Sequence, residues 1–178
     1  MKRELKKHQR GLKVAIPQNR EKDFPSDRLI VSKTDTSGRI TYGNSLFIEL
    51  SGYDEQELLG QPHNIIRHPD MPKVVFKLLW DTLAKGNEIF AYVKNLSKDG
   101  GYYWVLANVT PSFDLSGRVI GYHSVRRRPK KEAIAVIEPL YRKLNDLERS
   151  GGVSASQKAV EQLLSEKGVN YEKFILSL

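Results

Sequence analysis

The chain contains no cysteine among its 178 residues. This absence excludes disulfide bonds, zinc–thiolate centres, iron–sulfur clusters and thiol nucleophiles. Long apolar runs are also missing, since no stretch approaches the roughly 20 residues that a membrane-spanning helix needs. The basic N-terminus has no apolar segment behind it and does not look like a secretory signal. These absences predict a cytoplasmic protein without a membrane span, in which any redox sensing must use a bound cofactor.

Sequence patterns that accompany catalysis are absent as well. We find no paired carboxylates, no nucleophile with an adjacent base, no phosphate-binding glycine loop and no metal-ligand spacing. We therefore expect that the protein is not an enzyme.

Basic charge is abundant but unevenly distributed, and the net charge is +8. Residues 1–28 and 118–149 each carry a net charge of +5, whereas residues 29–117 carry −2. Basic flanks suit an acidic protein partner or the inner face of a membrane. Because no helix-turn-helix, zinc-finger or RNA-binding sheet pattern accompanies the charge, nucleic acid is not expected as a partner.

The middle of the chain alternates between strand and helix patterns. A β-hairpin is predicted over residues 28–42, around the turn Asp35-Thr36-Ser37-Gly38. Two short helices are expected within 44–59, and an amphipathic helix over 73–85 is closed by glycine. Three further strands are predicted within 89–127, so the order is β-β-α-α-loop-α-β-β-β.

The two flanks differ from this middle part. Residues 1–27 read as a basic N-terminal arm or cap, residues 28–128 as the main folded domain, and residues 129–178 as a helical extension. A helix over 133–149 carries an apolar stripe, and we expect the stripe to be uncovered by the sheet domain and to contact a second chain or a partner. A Ser150-Gly151-Gly152 linker separates this helix from the next one.

Several motifs in the middle region resemble those of PAS domains. Ser51-Gly52-Tyr53 and the following Glu57-Leu58-Leu59-Gly60-Gln61-Pro62 resemble the PAS signature after the first helix. Lys98-Asp99-Gly100 followed by Tyr103-Trp104-Val105 resembles the PAS turn and core strand. The resemblance implies an α+β PAS fold, with a five-stranded antiparallel sheet and short helices on one side.

The most specific motif spans residues 60–72, which read GQPHNIIRHPDMP. It closely resembles the segment found in the PAS domains of aerotaxis receptors, which bind FAD, and the likeness extends over about residues 28–147. The resemblance implies FAD as cofactor and oxygen or electron-transport status as the signal. It further implies a stand-alone half of a bipartite energy-taxis system, whose partner is a separate membrane-bound, HAMP-containing transducer; a PAS homodimer is the second association expected.

The same motif supplies the first candidate cofactor ligands. Arg67 suits a diphosphate because its planar guanidinium donates in pairs, and His68 could stack on or donate to the adenosine half. Asp70 either holds these two side chains in place or caps the helix that follows. Trp80, on that helix, either walls the flavin ring or fills the core.

The strands supply the remaining candidates. The resemblance places Asn95 on the flavin ring, and Asn44 is a further candidate that could instead cap a helix. Tyr103 and Trp104 point to opposite faces of their strand, so at most one of them faces a pocket, and we include Trp104. His123 is expected on the outer face.

Three departures and two alternatives accompany this interpretation. The chain lacks the cysteine of light-oxygen-voltage photoreceptors and has Val105 in place of their second ring-binding Asn, so adduct formation is not expected. Aerotaxis-type PAS domains typically carry a Trp where this chain has Ile89.

A haem would need an axial ligand such as His63, His68 or His123. The remaining alternative is a cofactor-free PAS module that only dimerises and docks.

Overall fold

The computed structural model describes residues 15–178. Five antiparallel strands form one sheet in the order β2-β1-β5-β4-β3. The strands are β1 (Ile30–Thr34), β2 (Ile40–Gly43), β3 (Ile89–Leu96), β4 (Tyr102–Phe113) and β5 (Val119–Arg127). This arrangement confirms the predicted α+β fold with a five-stranded antiparallel sheet.

The helices lie in the β2–β3 connection and after the sheet. The connection contains α1 (Ser45–Ser51), α2 (Glu55–Leu58), a 3₁₀ turn (His63–Ile66) and α3 (Lys73–Leu83). The sheet is followed by α4 (Lys131–Lys167) and α5 (Tyr171–Leu176). Within residues 15–178, no helix combines the length and the apolar composition that crossing a lipid bilayer requires.

The strand register gives the sheet an inner face and an outer face. Asn95 pairs with Tyr103, and Ala107 pairs with Arg126, so these odd positions of β3 and β4 share the inner face with the even positions of β5. The inner face packs on α1 and α2 in one core cluster, which includes Phe47. The outer face of β3 and β4 packs on the C-terminal helices in a second cluster.

The C-terminal helices overturn one prediction about the extension. Two residues of the expected free stripe, Ile137 and Leu144, are buried in the second cluster together with the outer face of the sheet, and Tyr141 of the same helix is buried with them. The prediction of an uncovered stripe over 133–149 is therefore wrong. The chain breaks at Gly152 (φ 69°, ψ −174°), inside the predicted linker, and the following half of α4 adds Val160 to the same cluster. The doubled-back helix pair covers the stripe.

The N-terminal segment runs beside the start of β4. The Lys22 amide donates to the Tyr102 carbonyl at 2.7 Å, and the Tyr102 amide donates to the Arg20 carbonyl at 3.0 Å. Phe24 is buried in the inner core. The first fourteen residues of the predicted arm, 1–27, lie outside the described residues, and the three-part domain division stays a prediction.

The buried position of α4 leads to a stability prediction. Leu144 is 2% exposed, whereas Val136 on the same helix is 46% exposed. We expect Leu144→Ala to lower the free energy of unfolding by about 3 kcal/mol, because it leaves a cavity in a packed core, and Val136→Ala to change it by less than about 0.5 kcal/mol. Urea unfolding followed by tryptophan fluorescence tests both. A Leu144→Ala loss as small as that of the control would mean that α4 is not part of the core.

Candidate functional site

A cavity of about 280 Å³ lies between the inner face of the sheet and α3. The 3₁₀ turn closes one side, and Gly38 of the β1–β2 turn and Trp80 of α3 meet near the opening, where Trp80 is 43% exposed. The volume is near the lower limit for small-molecule pockets, so it suits a ring system better than a whole dinucleotide. Apolar walls come from Ile66, Phe76, Leu79, Leu83, Val93, Ala107 and Val109.

A buried positive charge is the dominant electrostatic feature of the cavity. Arg126 is 4% exposed, and its Nη2 donates to the Ser32 hydroxyl at 2.5 Å and to His63 Nε2 at 2.7 Å. Burial lowers the pKa of Arg126 to about 10, which still leaves it charged near neutral pH. Among residues 15–178, no carboxylate forms an ion pair with it. The cavity therefore contains a charge that the described residues do not neutralise.

His63 is the neutral partner of that charge. Burial and the neighbouring Arg126 lower the pKa of His63 to about 3. A guanidinium only donates, so His63 must accept through Nε2 and carry its proton on Nδ1. The ring also stacks on Phe47 with centroids 5.8 Å apart. These contacts hold the imidazole in one orientation at the cavity wall.

Polar atoms without partners gather on the inner face. Asn95 Nδ2, the Tyr103 hydroxyl, the Ser124 hydroxyl and Arg126 Nη1 are buried and have no hydrogen-bond partner among residues 15–178. Asn95, Ser124 and Arg126 line the cavity. Unpaired buried donors are costly, and four of them on one face indicate a polar ligand with acceptor atoms. A flavin, whose ring edge carries carbonyl oxygens and ring nitrogens, fits this set of donors.

Three of the predicted ligands line the cavity: Arg67, Trp80 and Asn95. The guanidinium of Arg67 lies 4.1 Å from the centre of the Phe76 ring and donates to the Met71 carbonyl at 3.0 Å. Burial lowers its pKa. Trp80 contacts the ring of Tyr122 edge-on, with centroids 5.4 Å apart. Of these three residues, Asn95 is the one with an unpaired buried amide nitrogen, which can donate a hydrogen bond to a ligand.

His68 and Asp70, two further predicted ligands, do not line the cavity. The segment crosses the edge of β3 at Arg67, which bridges to Asn95, so the following residues reach the outer side. There His68 accepts the Asp70 amide at 3.1 Å through Nδ1, and the Asp70 carboxylate pairs with Lys94 at 2.9 Å. Asp70 does not cap α3, because Pro72 occupies the N-cap position without a side-chain bond.

Trp104 and Asn44 also lie away from the cavity. Trp104 points to the outer face and packs on Tyr141, with ring centroids 6.1 Å apart, because strand alternation gives the inner face to Tyr103. Asn44 caps α1 by accepting the Phe47 amide and joins the helix to β1 by accepting the Val31 amide, both at 3.1 Å. Its Nδ2 donates to the Leu29 carbonyl at 2.8 Å. Every polar atom of the Asn44 side chain is therefore used within the fold.

The sequence interpretation did not include Arg126 and Ser124, and it considered His63 only as a haem ligand. The pairing of β4 with β5 is the feature from which the position of Arg126 could have been predicted. Once Ala107 is assigned inward, the residue opposite to it, Arg126, must also face inward. A charged residue at an inward position of a central strand is a strong pointer to a site. His123 pairs with Lys33 and lies on the outer face.

The depressed pKa of His63 predicts a dependence of stability on pH. The unfolded chain takes up a proton near the ordinary pKa of 6.5, whereas the folded chain does so only near 3. Acidification between these values therefore favours the unfolded state. We expect the free energy of unfolding to fall by about 2 kcal/mol more in the wild type than in His63→Gln between pH 7 and pH 5. Urea titrations at the two pH values measure this difference, and equal losses would assign the ionisation to another group.

Residues 40–126 match the family described as PAS fold. The aerotaxis receptor of Escherichia coli (strain K12) is 49% identical over 119 residues, which cover 67% of this chain and 23% of the receptor. The nitrogen fixation regulatory protein of Klebsiella pneumoniae is 29% identical over 97 residues, which cover 54% of this chain and 20% of that protein. This chain thus matches less than a quarter of the length of either relative.

A solved structure shows the same fold. The light-state structure of the blue-light photoreceptor Aureochrome1 LOV has a TM-score of 0.55 at 23% identity, covering 60% of this chain and 86% of that chain. At this identity the similarity supports the fold alone. Together with the family match and the sequence identity to the aerotaxis receptor, it confirms the resemblance found in the motifs. Residues 40–126 of this chain form a PAS domain, and the region is similar to part of the aerotaxis receptor.

Proposed function

We propose that this protein is a flavin-based sensor of redox or oxygen status that binds FAD and does not itself catalyse a reaction. The observation that carries the proposal is the uncompensated Arg126 in an apolar cavity, surrounded by donors without acceptors. The similarity to the aerotaxis receptor supports it. Arg67, close to the same cavity wall, is the residue we assign to the more distal, anionic part of the cofactor.

The residues around the cavity are suited to holding a redox-active ring. A bound flavin supplies reversible uptake of electrons and protons. The positive charge of Arg126, buried where the dielectric constant is low, stabilises whichever ligand state carries more negative charge. Asn95 presents an amide that can offer either a donor or an acceptor end. Val93 and Leu83 contribute apolar surface to the lining of the cavity.

The first prediction here tests the cofactor. The purified protein should absorb near about 370 and 450 nm, as oxidised flavin does. Arg126→Met, which keeps the volume but removes the charge, should lower flavin affinity at least about tenfold and raise the stability of the flavin-free protein by about 1 kcal/mol. Absorbance titration and urea unfolding measure the two effects. Arg127→Met, on the exposed outer face of the same strand, is the matched control.

Other outcomes of the spectrum identify the alternatives. A Soret band would indicate haem, and His63, which lines the cavity, would then be the first candidate ligand. A protein that stays colourless after reconstitution with flavin would indicate the cofactor-free docking module. Flavin bound with equal affinity by Arg126→Met would contradict the assignment of Arg126 to the site.

We further propose that the protein signals in the cytoplasm to a separate membrane-bound, HAMP-containing transducer of the chemoreceptor type, with a PAS homodimer as an additional association. The support comes from the aerotaxis receptor, of which the matched region forms 23%. The basic flanks of this chain, residues 1–28 and 118–149, each carry a net charge of +5. They suit an acidic surface on that partner.

The second prediction concerns the signal itself. Asn95 lies on β3, and its neighbour Lys94 contacts Asp70 and Glu138 on the opposite face. A change in the hydrogen bonding of Asn95 is therefore transmitted through one peptide unit to the outer side. Asn95→Leu should bind FAD, yet its association with the transducer should no longer differ between oxidised and dithionite-reduced samples. Analytical ultracentrifugation of both states measures this, with Asn108→Leu on the outer face as control; a persisting redox difference in Asn95→Leu would contradict the role.

A further inference from the structure

The helix that walls the cavity has no cap of its own. Pro72 occupies the N-cap position of α3 without a side-chain bond, and the first turn contains no acidic residue. The first amides of a helix need acceptors from elsewhere. Here the carboxylate of Glu148, far along α4, accepts the amides of Lys73 and Val74, each at 2.9 Å.

The start of α3 positions one side of the cofactor cavity. Phe76, Leu79 and Trp80 of this helix line the cavity. Arg67 stacks on Phe76 and donates to the Met71 carbonyl, directly before the helix begins. A displacement of the first turn would therefore move both the aromatic wall and the guanidinium. The negative charge of Glu148 also acts on Arg67, where it opposes the lowering of the Arg67 pKa by burial.

Glu148, in the first half of α4, is itself held by a residue from the second half. The Ser156 hydroxyl, beyond the break at Gly152, donates to its Oε1 at 3.0 Å. One turn earlier, Asn145 Nδ2 donates to the Asp70 carbonyl at 2.6 Å. The first turn of α3 and the segment before it are thus fastened to the helix pair at several points. The packing of α4 and the geometry of the cavity cannot change independently.

We infer that Glu148 is a positioning residue for the cofactor cavity, and that cofactor binding and docking of the C-terminal helices are thermodynamically linked through it. The inference rests on the proposed binding of FAD. Thermodynamic linkage is reciprocal. A change that disrupts the Glu148 cap therefore weakens ligand binding, and a ligand that fills the cavity stabilises the docked position of the C-terminal helices. The C-terminal helices α4 and α5 are then the elements through which the state of the cavity reaches a partner.

Two substitutions separate the cap from the charge. Glu148→Ala removes both acceptors, and Glu148→Gln keeps one acceptor but removes the charge. We expect Glu148→Ala to raise the apparent Kd for FAD about tenfold, because the competent arrangement of α3 is populated only part of the time, and Glu148→Gln to raise it less. Glu132→Gln, an exposed glutamate on the same helix, should stay within about twofold of wild type.

Hydrogen exchange distinguishes a positioning role from a purely structural cap, because only a positioning role makes FAD binding change the exchange rates of residues in α4. In the wild type, added FAD should slow exchange of the α3 first-turn amides and of residues 144–156 together. In Glu148→Ala the two regions should respond separately, with residues 144–156 no longer protected by FAD. An unchanged Kd in Glu148→Ala, or equal protection of residues 144–156 in variant and wild type, would overturn the inference. If Glu148→Ala does not fold, an unchanged Kd and unchanged protection in Glu148→Gln would overturn it.

Failure of the proposed function would look different. If the wild type binds no flavin, that proposal fails, and the cap is then tested in the flavin-free protein. Glu148→Ala should speed exchange at Lys73 and Val74 about tenfold and should also speed exchange at Phe76 and Leu79 of the cavity wall. If only Lys73 and Val74 exchange faster, Glu148 stabilises only the first turn of α3, and the inference that it positions the cavity wall is overturned.

Discussion

The arrangement of this protein depends on how the edge of its sheet is covered. Strand β3 is an edge strand, and the free backbone groups of an edge need partners. Arg67 forms an isolated bridge to Asn95, and Tyr141 of α4 donates its hydroxyl to the Tyr92 carbonyl at 2.7 Å. The loop that reaches the cavity and the helix that follows the domain therefore meet on one strand. The cavity wall and the C-terminal helices share this support.

A second constraint is the charge of Arg126 inside the domain. Burying a cation without a carboxylate is unfavourable by several kcal/mol, and hydrogen bonds to Ser32 and His63 offset only part of that cost. A core selected for stability alone would place an apolar residue there. Keeping His63 neutral avoids a second charge but leaves the first uncompensated. The position is consistent with a fold that gives up stability so that a ligand can supply the missing acceptors.

The sequence was sufficient to predict the five strands and their succession along the chain, because turn residues such as Asp35 and Gly38 and the alternation of β3 and β4 are local signals. It predicted their assembly into one antiparallel sheet only through the resemblance to PAS domains. It was insufficient for positions that depend on register between strands. Arg126 could be assigned inward only through its pairing with Ala107. The glycines of the linker predicted the break in α4, but no local pattern shows that the chain after Gly152 brings Val160 into the same cluster as Leu144.

The RHPDMP motif illustrates why a contiguous motif need not form a contiguous site. Its first residue, Arg67, stays on the cavity side, whereas His68 and Asp70 pass over the edge of β3 to the outer side. There Asp70 meets Lys94, which in turn lies 3.5 Å from Glu138 of α4. Strand alternation makes Lys94 the outward neighbour of the inward Asn95. The motif therefore joins the two faces of the domain. Of the three candidate ligands in it, Arg67 faces the cavity, whereas His68 and Asp70 lie on the outer side, where Asp70 bonds to Asn145 of α4.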